Sequence, residues 1–332
     1  MEARTGHAPT GPYRNAVMKD RPLSKEEPAA ARPFALAHLS DLHATAPRIE
    51  SPFDLLGKRG LGWLSWRRSR SKEHLPRILE ALIADLEAAG ADHVGVTGDL
   101  TQLGLDSEIE EAAEWLARLG SPSRVSVVPG NHDAYAGRSG SERWSRWAPY
   151  MTSTDAADSV DGGFPFVRRL GPVALVGISS ARPTAPLLAT GRIGGSQRER
   201  LEELLARLRE EGLCRVVLMH HPPVPAGQSR RRQLDDAAAV RELLERAGAE
   251  LVLHGHTHRT SFARIAGPSG AIPVVGVPSA SALGHRPDRR ARYHVYRIVP
   301  TGGAPGSFEL SLCVRAFDPL RGGFAVVEES AL

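Results

Sequence analysis

The sequence predicts an α/β fold in a single domain, and three observations carry that expectation. From Phe34 onward, short apolar runs alternate with helix-like stretches, the order that builds sheets joined through helices. The loops after those runs are crowded with Asp, His, Asn and Gly. The chain has 332 residues, 41% hydrophobic and 24% charged, which allows a full core and argues against wholesale disorder or a membrane-embedded class.

Strands are expected at 34–39, 93–97, 124–128, 173–178, 215–219 and 250–253, and β-branched residues in all but the first support the assignment. Helices are expected at 74–89, 107–119, 196–211 and 235–247; Ile78, Leu82 and Leu86 show the four-residue apolar spacing best. Gly90, Gly120, Gly212 and Gly248 fall just past those helices, where a left-handed cap favours glycine. After His258 come strand-like runs at 271–277, 293–299 and 308–314, split by Gly and Pro, with no helical pattern. No repeat or long linker separates them, so they are expected to complete one domain at 33–332. Residues 1–32 carry Pro, Ala and charge without periodicity and read as a disordered N-terminal arm.

The net charge is +4 and the pI about 9.3, a balance that does not call for nucleic acid. Basic residues cluster at Arg67, Arg68 and Arg70, at Arg230, Arg231 and Arg232, and at Arg286, Arg289, Arg290 and Arg292. Such clusters are solvated loops or attractors of phosphate. No basic stripe with interleaved aromatics extends beyond one insertion, which argues against a nucleic-acid partner. Cys214 and Cys313 sit in apolar runs without CxxC spacing and read as buried thiols. With no signal-like or membrane-spanning apolar stretch, a cytoplasmic location is the default.

The chemistry lies where the strands end. Asp41 and His43 follow the first run, Asp99 the second, Asn131 and His132 the third, His220 the fifth, and His256 and His258 the sixth. In open α/β sheets the carboxyl ends of strands share an edge where loops converge. Two aspartates and an asparagine are hard ligands, while four imidazoles suit Zn, Fe, Mn or Co. A pair of catalytic transition metals is implied.

Asp41-Leu42-His43, Gly98-Asp99, Gly130-Asn131-His132-Asp133, His220-His221-Pro222-Pro223 and Gly255-His256-Thr257-His258 together resemble the five ordered motifs of the calcineurin-like metallophosphoesterases. The last two forms resemble the class III cyclic nucleotide phosphodiesterase branch. The resemblance, over about residues 34–260, implies a four-layer αββα sandwich of two mixed β-sheets flanked by helices. It implies that Asp41, His43 and His258 hold one metal, that Asn131, His220 and His256 hold the other, and that Asp99 bridges them. The cofactors would be two divalent or mixed-valence ions of Mn, Fe or Zn, with a metal-bridging hydroxide attacking the phosphorus of a small phosphodiester. His132 takes the catalytic role beside Asn131, protonating the leaving group or steadying phosphoryl charge.

His220 is preferred to His221 as ligand because it directly continues the strand; His221 is expected to line the pocket against substrate. His38 and His254 are expected to be core histidines. Many members of the branch carry an acidic residue where Gln102 stands, so an amide here would not raise the pKa of His132 as a carboxylate does. The insertion at 44–73 is greasy and basic, with Trp63 and Trp66. It is expected to lie near the metal edge, as a cap, a nucleobase-stacking surface, a contact with a membrane surface or a simply packed loop. A cyclic-nucleotide or related phosphodiesterase is the first functional expectation. The alternatives are a membrane-surface hydrolase of lipid-linked or nucleotide pyrophosphates and a non-catalytic scaffold on the same fold, the last opposed by the complete ligand set.

Overall fold

Each of the six apolar runs expected before His258 forms a strand, and the way they pair sets two separate sheets. The computed structural model describes residues 32–135, 141–161, 163–302 and 306–332; all of the expected N-terminal arm except Arg32 lies outside the described residues. In the first sheet β1 (Phe34–Leu39), β2 (His93–Val96) and β3 (Val125–Val127) are parallel neighbours. β10 (Arg292–Pro300), β11 (Phe308–Asp318) and β12 (Gly323–Ala331) extend it antiparallel beyond β1. The second sheet contains β4 (Phe166–Leu170), β5 (Val173–Gly177), β6 (Cys214–Leu218), β7 (Leu251–His254), β8 (Ser261–Gly267) and β9 (Gly270–Gly276), in the order β4-β5-β6-β7-β9-β8. Its four central strands are parallel and its two edges antiparallel.

The sheets meet face to face over a shared core. Leu36, Val94, Val125 and Tyr293 from the first join Leu175, Val216, Leu253 and Val275 from the second, and a Cβ on Gly95 would stand 3.1 Å from Leu218. Because both faces of β5 and β6 are covered, these strands are buried throughout, as parallel strands under helices must be. Helices α5 (Gly195–Glu210) and α6 (Ala237–Ala247) pack Leu201, Leu205, Val240 and Leu244 onto the outer face of the second sheet. Helix α3 (Pro76–Ala89) covers the first: Ile78 packs on Phe317, and Asp85 receives Tyr293 and Arg315. Helix α4 (Asp106–Leu119) connects β2 to β3. The expected architecture of two mixed sheets flanked by helices is therefore present.

Strands β4, β8 and β12 do not stand out in sequence. Arg168 and Arg169 interrupt the apolar pattern of β4, while β8 and β12 are edges whose solvent faces carry Arg264 or Glu328. The insertion is also more ordered than a loop. After a short 3-10 turn at Pro52–Leu55 it forms α1 (Lys58–Ser65), a π-helical stretch at Trp66–Arg70 and the single turn α2 (Ser71–Glu73). Among the described residues no helix is long and apolar enough to cross a membrane.

Candidate metal centre

The seven ligand-type residues converge, across two sheets rather than along one. Loops after β1, β2 and β3 meet loops after β6 and β7, and the junction is sewn by main-chain groups: His220 Nδ1 lies 2.6 Å from Thr97 O, and His256 N donates to Asp41 Oδ2 at 3.0 Å. Around His220 Nε2 stand Asn131 Oδ1 at 3.2 Å, His256 Nδ1 at 3.2 Å and Asp99 Oδ2 at 3.3 Å. On the other side Asp41 and His43 gather with His258, whose Nε2 is 3.1 Å from Asp41 Oδ1; these three donors lie within 4.8 Å of one another. Asp99 Oδ2 also faces His43 Nε2 at 3.9 Å. One carboxylate oxygen thus looks into both groups.

Hydrogen bonds on the far side of the rings fix which nitrogens face inward. His43 Nδ1 reaches Thr101 O at 2.9 Å, His220 Nδ1 reaches Thr97 O, and His256 Nε2 reaches Arg232 O at 2.9 Å. Since a carbonyl only accepts, each of those nitrogens donates, and the opposite nitrogen keeps its lone pair. Lone pairs from His220, His256, Asn131 and Asp99 therefore point at one another, which is unfavourable unless a cation sits between them. Donors about 2.1 Å from a common ion stand about 3.0–3.4 Å apart, the spacing found here. The donor set fits a dinuclear metal centre, and the backbone carbonyls are the outer partners such ligands need.

Assembling these donors strains the chain. Asp41, His43, Asp99, His256 and His258 all have positive φ, between 43° and 67°. Non-glycine residues held this way cost about 1–3 kcal/mol each and concentrate at functional sites. The motif glycines answer a different need, close approach: a Cβ on Gly130 would lie 2.2 Å from Asp99 Oδ1, and one on Gly255 would lie 1.8 Å from Ser40 Oγ.

Charge in the cluster is set by burial and by neighbours. Burial pushes His43 down to about 4 and His256 to about 3, keeping them neutral. At His220 burial acts the same way but is outweighed by the charge of Asp99, which lifts the group to about 9, so where no metal ion sits among these donors a proton on the inward nitrogen takes its place. Burial raises Asp41 and Asp99, but the facing His258 and His220 respectively pull each below the ordinary carboxylate range.

His132 stands beside the cluster, its backbone N donating to Asp99 Oδ1 at 2.7 Å and its Nδ1 2.6 Å from the main-chain carbonyl of Gln102. The Gln102 side chain turns elsewhere, giving its Nε2 to His43 O at 2.8 Å. At this position the main-chain oxygen, not the side chain, meets His132. Burial holds His132 well below the usual imidazole range, and Arg70 lowers it further. The Arg70 guanidinium, brought by the π-helical stretch of the insertion, puts Nη1 3.3 and 3.4 Å from the two ring nitrogens of His132.

Besides the contact of Arg70 with His132, two buried carboxylates escaped the sequence reading. Asp133 accepts the backbone N–H groups of Gly130, Asp99, Leu100 and Thr101 and the Thr101 hydroxyl, all within 3.1 Å. Its place in Gly130-Asn131-His132-Asp133 was the available signal. Burial and the charge of Asp99 push its carboxyl up to about 7, against the pull of the N–H donors. Glu108, at the third position of α4, accepts from the backbone N of Gln102, Leu103 and Leu105 and from the Thr45 hydroxyl. It is a helix-capping carboxylate that ties the Asp99 loop to the start of the insertion.

The centre opens on a cleft of about 480 Å³ lined by His43, Asp99, Asn131, His132, His256 and His258, with Lys58 and Arg70 from the insertion. His221 is buried behind it, with Nδ1 2.8 Å from Ser180 Oγ and Nε2 3.2 Å from Ala189 O; it is not among the lining residues. Trp63 packs on Leu103, Leu105 and Tyr135, so it anchors the insertion, and neither it nor Trp66 lines the cleft. His38 and His254 are fully buried, bonded to Thr97 and to Gly255 and Ser261.

Comparison with known proteins agrees with this geometry. The chain is 24% identical over 229 residues to a probable cyclic nucleotide phosphodiesterase of Synechococcus sp., covering 67% of this chain and 78% of that one. Its fold resembles a dimetal phosphatase from Danio rerio (TM-score 0.57, 13% identity, 90% of this chain and 98% of that one). It also resembles the purple acid phosphatase PPD1 of yellow lupin (TM-score 0.54, 14% identity, 90% of this chain), of which it spans 53%. The profile of the calcineurin-like phosphoesterases matches residues 34–260. With that match running through all five strand-end motifs and the donors they bring together, the chain belongs to the calcineurin-like phosphoesterase family.

Proposed function

We propose that this protein is a metal-dependent phosphodiesterase acting on cyclic nucleotides or related phosphodiesters. The observation that carries the reading is Asp99 Oδ2, which faces imidazoles of both donor groups at the floor of the cleft. The likeness to a probable cyclic nucleotide phosphodiesterase supports the diester preference. In this reading Asp41, His43 and His258 hold one cation, Asn131, His220 and His256 the other, and Asp99 both; Mn, Fe and Zn suit the donors. When bound, the two ions supply an activated water at neutral pH and positive charge on the phosphoryl oxygens.

The remaining chemistry belongs to the chain. His132, anchored through Nδ1 and neutral in the empty cleft, presents Nε2 to the leaving oxygen and takes up a proton for it only once the anionic phosphoryl group is bound beside the ring. Arg70 and Lys58 add positive charge beside it, and among the described residues no carboxylate lies within 4 Å of either group. His221 holds the loops bearing Ser180 and Ala189 behind His220. Two unpaired thiols, Cys214 and Cys313, favour a reducing, cytoplasmic setting.

Metal-loaded protein should hydrolyse bis(p-nitrophenyl) phosphate and 3′,5′-cyclic AMP faster than p-nitrophenyl phosphate. Monoester hydrolysis without diester hydrolysis would replace this reading. A second reading, hydrolysis of lipid-linked or nucleotide pyrophosphates at a membrane surface, is favoured by Leu61 and Leu187, which line the cleft yet are 52% and 73% exposed, and by exposed Phe53 and Leu56 on the insertion. Cosedimentation with anionic vesicles tests it, and no binding removes it.

A further inference from the structure

The Arg-rich segments at 230–232 and 286–292 are separated by more than fifty residues of sequence, and nothing in the proposed chemistry uses the arginines they bring together. They meet beside the metal centre. Arg232 from the first, Arg289 from the second and Arg259, which directly follows His258, line a cleft of about 320 Å³. That cleft shares Arg232, His256, Thr257 and Arg289 with the larger metal cleft, so the two are contiguous.

No carboxylate lines the smaller cleft. Among the described residues, Arg232 and Arg259 have no ion pair, and the nearest acid to Arg289 is Asp288 at 4.0 Å, already held by Arg286 at 3.1 Å. Three arginines around one cavity bring like charges that repel each other, and planar guanidinium groups are the side chains best suited to oxygen-rich anions. Arg232 is also fixed relative to the chemistry, because its carbonyl accepts from His256. The neighbouring metal cleft adds Lys58 and Arg70 against a single lining carboxylate, Asp99. That is more positive charge than a cyclic mononucleotide, with one negative charge, would balance.

We infer that Arg232, Arg259 and Arg289 form a subsite for a second phosphate, and that the substrate is a nucleotide-like phosphodiester carrying one more phosphate group away from the scissile bond. The inference rests on the phosphodiesterase reading for its reaction but not for its binding site. Both a cyclic dinucleotide and a linear dinucleotide with a terminal phosphate present this chemistry.

Binding separates the two claims. Metal-loaded wild-type protein and the variant R232A/R259A/R289A are titrated calorimetrically with adenosine 5′-monophosphate and adenosine 3′,5′-bisphosphate, and the same samples are assayed on bis(p-nitrophenyl) phosphate. Wild type should bind the bisphosphate at least about ten-fold more tightly, with a gap that shrinks as salt screens these exposed charges. In the triple variant the gap should close; in Arg259→Ala, assayed alongside because Arg259 lines the smaller cleft only, the gap should shrink while monophosphate affinity and aryl diester turnover stay within about two-fold. Equal affinities in wild type, or a gap that survives the triple substitution, would overturn the subsite. Absent aryl diester turnover would strike the phosphodiesterase reading alone. Hydrolysis of 5′-phosphorylated dinucleotide against cyclic dinucleotide then distinguishes the two sources.

Discussion

Asp133 Oδ2 accepts the backbone N–H of Asp99 at 2.9 Å, so the residue shared by the two donor groups is positioned by a carboxylate that ligates nothing. The same oxygen takes Gly130 N, and the other takes Leu100 N and Thr101 N. Asp133→Asn replaces one acceptor with an NH₂ that faces N–H donors. The expected loss is roughly 3 kcal/mol, two buried N–H groups left unmatched at about 1–3 kcal/mol each. Urea denaturation and metal analysis should give a lower midpoint and fewer metals per chain. An unchanged midpoint would mean the loops hold their shape unaided.

His132 is oriented by the main-chain oxygen of Gln102, and that oxygen survives any side-chain change at position 102. Gln102→Ala should therefore leave the acid limb of the pH–rate profile within about 0.3 units and cost only about 1 kcal/mol of stability from the lost bond to His43 O. Gln102→Asp should behave alike on the acid limb. A shift of a full unit in either variant would return the side chain to the proton chemistry.

Most of the centre was legible because strand-end chemistry is written locally: Gly98-Asp99 or Gly255-His256 announces a ligand within a few residues of its strand. The six strands before His258 were legible for the same reason, being short runs buried on both faces. What stayed hidden depends on contacts remote in sequence. Asp133 acts on residues about thirty positions earlier, and Arg70 meets His132 sixty-two positions away through a π-helical stretch that no apolar period marks. Strand β4 was hidden because Arg168 is buried by bonds to Pro122 O and Pro149 O, which hydropathy cannot foresee.

Gly130 offers a test that removes no functional group. Its missing Cβ leaves room for Asp99, whose N and Oδ1 would stand 2.5 and 2.2 Å from an added methyl. Gly130→Ala should cut kcat about 100-fold or more, roughly 3 kcal/mol of transition-state stabilisation, while circular dichroism shows a folded protein. Gly90→Ala is the control: its φ is +65° with nothing within 4 Å of the new methyl. That variant should lose about 1 kcal/mol of stability at the helix end with turnover unchanged. Equal activity losses in both would reduce the Gly130 effect to general destabilisation.

Asp99→Ala removes the oxygen that faces His43 and His220 together. If that oxygen joins two ions, the variant should hold fewer than two metals per chain and lose on the order of 10³-fold in kcat, about 4 kcal/mol. Chelation supplies the matching physical test. Ions that bind the folded chain preferentially stabilise it by mass action, about 4 kcal/mol at a thousand-fold excess over Kd, so removing them from wild type should lower its melting temperature. In Asp99→Ala the added chelator should have much less to remove, and the melting temperature should move correspondingly little. Two metals retained together with full activity would show that Asp99 is dispensable, and the dinuclear assignment would fall with it.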